Sequence, residues 1–97
     1  MNKEIAVWQD INGNYFKAID LYEQLIDKGL ALVDVFSNLS FIYWEFAADF
    51  GFRSTNNISD EWKEIGSNKY KEIIEKGLSK DPESVELHFL LKYFRHR

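Results

Sequence analysis

The chain predicts an all-α fold of about four to five helices in one small domain, residues 1–97, and three observations carry that prediction. Apolar residues recur at helical spacing, as in Tyr15, Ala18, Ile19, Tyr22, Leu25 and Ile26. Asn12-Gly13, Gly29, Gly51 and Pro82 fall between such stretches, where helices stop or restart. Ninety-seven residues without a cysteine can also bury roughly 60–70% of the surface their unfolded chain exposes, enough for one core without disulfides.

Residues 3–11 hold Ile5, Ala6 and Trp8 and end at the Asn12-Gly13 turn. The second helix starts at Tyr15 and stops at Gly29. Asp34 is positioned to cap a third helix running to about Phe50. Seven aromatics between Phe36 and Phe52 make this segment apolar on most of its circumference, which marks the central helix. Gly51 to Ser59 reads as an inserted polar loop, expected to be mobile and tolerant of shortening. Ser59 is the expected cap of a helix through Trp62, Ile65, Tyr70, Ile73, Ile74 and Leu78, kinked at Gly66-Ser67-Asn68. Pro82 is expected to open a last helix, about 83–95, carrying Val85, Leu87, Leu90 and Leu91.

Within the central segment, Phe36-x-x-Leu39-Ser40-x-x-Tyr43 puts large apolar residues around a small one, the pattern that lets two helices cross closely. This pattern resembles the tetratricopeptide signature, and thirty-four residues upstream Ile5-Ala6 repeats the apolar-small pair, followed by Gly13-Asn14-Tyr15 and Ala18-x-x-x-Tyr22 at the matching places. Pro82 closes the second unit 18 residues later than that period allows. Counted from Pro82, Tyr70, Ile74, Gly77, His88 and Leu91 take repeat positions, and Lys92 stands where a small residue is needed. The last helix is therefore expected to cap the array. The resemblance implies antiparallel helical hairpins and a concave groove lined by the first helix of each repeat, here Asp34, Ser37, Asn38, Phe41, Trp44 and Glu45. It also implies that Lys3 and Asn38 match two positions of a clamp for a peptide's terminal carboxylate, while Val7, Glu86 and Leu90 depart from it.

Little in the sequence points to catalysis. His88 and His96 lie eight apart with no metal-ligand spacing around them. No phosphate loop, nucleophile elbow or apolar carboxylate pair can be assembled. The expectation is a protein that is not an enzyme and holds no metal or cofactor. The weakly charged stretch Gly29–Trp44 contains Asp34 and is too short for a membrane span, and no signal peptide is legible, so a cytoplasmic address is expected.

Charge is more informative. Residues 1–50 carry three basic and eight acidic side chains, a balance of −5, against +1 for residues 51–97. Asp20, Glu23 and Asp27 recur at i, i+3 and i+7, and Asp34 and Glu45 add to the same acidic half. Such a face is either a solvated surface or one that steers a basic protein, since complementary charge raises association rates and rejects wrong partners. Nucleic acid has the wrong sign for it. The expected function is protein binding through an acidic and aromatic helical surface, as in an immunity or antitoxin protein that covers a toxin's basic site. The alternative is a self-associating structural subunit or an adaptor of the tetratricopeptide type.

Overall fold

At Gly13 and Gly29 the backbone turns through the left-handed region, with φ of 78° and 72°, which a residue without a Cβ enters without strain. These two turns bound the helices predicted on either side of them. The computed structural model describes residues 3–48 and 51–95; Phe50, the expected end of the central helix, and His96 lie outside them. The described residues form six helices: α1 Lys3–Ile11, α2 Tyr15–Asp27, α3 Val33–Ala47, α4 Phe52–Thr55, α5 Glu61–Lys80 and α6 Val85–Arg95. There is no strand among them.

The predicted central helix is central. Val35, Phe36, Ser37, Leu39, Ser40, Ile42, Tyr43 and Phe46 of α3 are all buried, because α2, α4, α5 and α6 surround it. α1 and α2 form one hairpin. α3 and α5 form the other and run antiparallel: Gly66 lies against Tyr43 and Ala47, whereas Gly77, further along α5, lies against Phe36. Ser40 is fully buried as expected and donates to the Ser37 carbonyl at 2.9 Å. The closest approach in this hairpin is nevertheless made by α5, since a Cβ on Gly66 would stand 2.4 Å from the Tyr43 carbonyl oxygen. α5 is helical throughout, Gly66 to Asn68 included.

Two caps differ from the sequence expectation. Leu32, in extended conformation, occupies the N-cap of α3. Asp34 sits inside the first turn, where its charge still meets the positive end of the helix. Ser59 does not cap α5; its hydroxyl donates to Glu61 at 3.1 Å. Pro82 lies in a turn, and α6 begins at Val85 with Ser84 Oγ accepting the Leu87 N–H at 3.2 Å.

The segment expected as a loop over 51–59 contains α4 and is tied to the core. Arg53 Nη1 donates to the carbonyls of Phe46 and Ala48 at 2.7 and 3.3 Å, satisfying orphan groups at the end of α3. The Phe52 ring lies 5.2 Å from Tyr15 and 6.0 Å from Phe46, and Ile58 is buried. Ile58→Ala should therefore cost about 2 kcal/mol, the low end for emptying a buried aliphatic site. A urea melt identical to the parent's, or first proteolytic cleavage within 51–59, would show that the packing is not needed.

Candidate functional site

One face of α3 carries Asp34, Ser37, Asn38, Phe41, Trp44 and Glu45, which recur at i, i+3, i+4 and i+7 and so form a single stripe. α1 and α6 flank it. Between them lies a groove of about 360 Å³ lined by Asp10 of α1, Ser37, Asn38 and Phe41 of α3, and Glu86, Phe89 and Leu90 of α6. Its floor is largely apolar. Phe41 is 45% exposed, and its ring is stacked on Trp44 with centroids 5.5 Å apart.

Two carboxylates, Asp10 and Glu86, line this groove; Asp34 and Glu45 stand toward the two ends of the α3 stripe, and the surroundings of the four differ. Asp34 pairs with Lys3 Nζ through Oδ2 at 2.5 Å, while its Oδ1 is buried without a partner. Hydrogen bonding and charge from Asp34 raise the Lys3 pKa. Glu86 accepts a short hydrogen bond from the Ser37 hydroxyl. Asp10 accepts one from Tyr22 at 3.1 Å. Burial pushes the Asp10 carboxyl up, against the opposing effect of that Tyr22 bond. Burial also raises Glu45, and the nearby Asp10 charge adds to the effect. Tyr22, buried beneath, is raised well above its usual value by desolvation and by Asp10.

The sign of the last two carboxyl shifts sets a pH dependence. Asp10 and Glu45 are held above ordinary values of 3.8 and 4.5, so the folded state binds their protons more tightly than the unfolded state does. Their contribution to stability is complete below the ordinary values and is lost as pH rises through the elevated ones. At neutral pH both charges oppose folding. Asp10→Asn combined with Glu45→Gln should accordingly melt at or above the parent temperature at pH 7, with the advantage shrinking toward pH 4. A double variant that melts lower at pH 7, or a difference that does not change with pH, would contradict this.

The structure divides the nine residues expected to bind a partner. Ser37, Asn38 and Phe41 line the groove, and Asp34, Trp44 and Glu45 lie on the same stripe of α3 outside its lining. Asp20, Glu23 and Asp27 lie on α2 instead: Asp20 and Asp27 are exposed, Asp20 accepts from Gln24 at 3.0 Å, and Glu23 accepts from the Tyr43 hydroxyl at 2.5 Å. Tyr43 is two positions from both Phe41 and Glu45, so Glu23 is held on the far side of α3. Two groove residues were missed by sequence reasoning. Asp10 follows Lys3 by seven residues and Phe89 follows Glu86 by three, spacings that place each pair on one helix face. Of the two expected clamp residues, Lys3 is engaged by Asp34, and Glu86 adds negative charge, so a partner's carboxylate is disfavoured here.

His88 is occupied structurally, one ring nitrogen lying 2.7 Å from the Pro82 carbonyl oxygen. Among the described residues no three His, Asp or Glu side chains converge as metal ligands, and no helix is long and apolar enough to cross a membrane. No family model, no curated protein and no solved structure matches this chain.

Proposed function

We propose that this protein is a non-catalytic binding module of tetratricopeptide-like build, and that it takes a basic protein partner on the groove between α1, α3 and α6. The observation that carries this reading is the combination at that groove of exposed aromatic surface with carboxylates whose charge is partly desolvated. Exposed aromatic and apolar surface rimmed by polar groups is the composition of protein-binding sites. Desolvated charge that weakens the fold is a pattern found where stability is given up for function. The α2 stripe lacks the second property, because Asp20 and Asp27 are solvated and Glu23 is used internally. A cellular role suited to this surface is that of an immunity or antitoxin protein, which neutralises a toxin by covering its basic active site.

A second reading has its own observation. Trp8 and Ile11 on the outward side of α1 are 60% and 78% exposed, surface that a second copy of the chain would cover. Size exclusion with light scattering separates a dimer from a monomer that awaits a different partner.

The test compares the two acidic faces. Reversal at the groove, Asp10→Lys with Glu86→Lys, should abolish capture of the partner from source-cell extract. Reversal on α2, Asp20→Lys with Asp27→Lys, should leave capture intact. Surface reversals shift stability by under about 0.5 kcal/mol, so the α2 variant should stay folded, and a circular-dichroism melt checks the groove variant, whose Asp10 is half-buried. Capture by the parent should weaken with salt, since charges more than about 8–10 Å apart are screened at physiological ionic strength. Loss of capture on α2 reversal alone would move the interface to the other face, and indifference to both reversals and to salt would refute an acidic interface.

A further inference from the structure

The turn that ends α1 brings together the two groups of a reaction that partner binding does not use. Gly13 and Asn14 close the helix with a pair of backbone bonds of the Schellman type: the Gly13 N–H donates to the Asp10 carbonyl at 3.0 Å and the Asn14 N–H to the Gln9 carbonyl at 2.9 Å. Gly13 takes the left-handed conformation, φ 78°, that this closure requires. Asn12 adds its side chain, Nδ2 donating to the Trp8 carbonyl at 2.7 Å. Asn12 and Gly13 are both exposed.

An asparagine Cγ and the backbone nitrogen of the next residue can close a five-membered ring. The Gly13 nitrogen attacks Asn12 Cγ, the new N–Cγ bond forms, Cγ–Nδ2 breaks, and Nδ2 leaves as ammonia with the proton given up by Gly13. Water then opens the resulting cyclic imide at one of its two carbonyls. The product is aspartate, or isoaspartate with the main chain rerouted through Cβ and Cγ. In balance, an amide and a water become a carboxylic acid and ammonia, with no oxidation or reduction.

Glycine is the residue that hinders the attacking nitrogen least, because it has no Cβ. Asn12 is the asparagine of this chain that glycine follows; the others precede Lys, Tyr, Leu, Asn or Ile. The surroundings leave room for the ring, since even a Cβ added at Gly13 would meet nothing within 4 Å. Two hydrogen bonds must open first, Gly13 N–H from Asp10 and Asn12 Nδ2 from Trp8. Both lie at the exposed end of a nine-residue helix, where opening has a low free-energy cost.

The product differs from the parent in a way the helix end feels. A carboxylate cannot donate to the Trp8 carbonyl, and its charge stands at the negative end of the α1 dipole. The isoaspartate form also inserts a methylene into the main chain within the cap. We propose that Asn12 is a site of spontaneous deamidation, proceeding through an Asn12–Gly13 imide when the end of α1 opens, and that the product loosens α1.

The purified full chain is held at mildly alkaline pH, which favours the deprotonated attacking nitrogen, and is followed by intact mass, ammonia release and peptide mapping. The mass gain of an amino-to-hydroxyl exchange should appear first on the peptide containing Asn12, as aspartate and isoaspartate together. Guanidinium chloride should speed this conversion by opening the cap, and Gly13→Ala should lower it to the level of the other asparagines even when unfolded, so a strained alanine at φ 78° does not obscure the result. Asn12→Asp stands in for the product. Amide hydrogens in the last turn of α1 should exchange roughly two- to fivefold faster in it than in the parent, the size of one unfavourable charge at a helix end, with α3 unchanged. Conversion led by another asparagine, no conversion in the folded chain, or an unfolded Gly13→Ala that converts as fast as the unfolded parent would overturn the site. Unchanged exchange in Asn12→Asp would overturn the loosening.

Discussion

Gly66→Ala should destabilise the protein severely, at or beyond the upper end of the roughly 1–3 kcal/mol that overpacking usually costs. The added Cβ would meet the Tyr43 carbonyl oxygen at 2.4 Å and the Ala47 nitrogen at 3.1 Å. Both are backbone atoms of a packed helix and cannot rotate aside, so α5 would have to move away from α3. In a helix free of such a neighbour the same change would gain about 1 kcal/mol from alanine's better propensity. Steric conflict and propensity therefore predict opposite signs, and the measurement decides between them. Ser67→Ala, at the next and exposed position, is the control and should leave a urea midpoint almost unchanged. A Gly66→Ala midpoint equal to or above the parent's would mean that the two helices are not in close contact there.

Leu39→Ala should cost about 2–5 kcal/mol, since a fully buried leucine loses both its transfer energy and the contacts around the cavity left behind. Small domains commonly have only about 5–15 kcal/mol in total, so this one side chain accounts for a substantial share. Relaxation is limited because Phe36, Ile42, Tyr43 and Phe46, on the same helix, are themselves buried. The expected result is a lower urea midpoint with an unchanged slope, as for a cavity within an otherwise intact fold. A melt coincident with the parent's would remove Leu39 from the core.

The all-helical class was legible because apolar periodicity is strong in α2 and α3, and Gly13 and Gly29 mark their ends with conformations other residues avoid. α4 was not. Four residues are too few to show a period, and Phe52 and Ile58 stand alone among polar neighbours. Their burial depends on Tyr15, Phe46 and the surrounding core, which lie far away in sequence. The close approach at Gly66 was not legible for a related reason: glycine inside a helix looks like a breaker until the helix crossing it is known. The stripe from Asp34 to Glu45 was legible from its spacing. Which acidic face adjoins an apolar groove was not, because Asp20 and Asp10 look alike in sequence and only packing distinguishes the solvated carboxylate from the half-buried one.

The support of α1 has a consequence for how the groove behaves in time. This helix has nine residues, below the roughly 12–15 at which isolated helices become marginally stable in water. Its principal packing partner is α2, and its hydrogen-bonded link to α3 is the Lys3–Asp34 pair. Ala6 of α1 and Leu87 of α6 each reach the buried core. Two of the groove's three walls are therefore short helices, of nine and eleven residues, that owe their order to packing more than to their own propensity. An occupant touching both would fasten two short helices to α3. Affinity at this groove and order in α1 are then linked quantities, and whatever loosens the N-terminal helix weakens the complex without touching a binding residue.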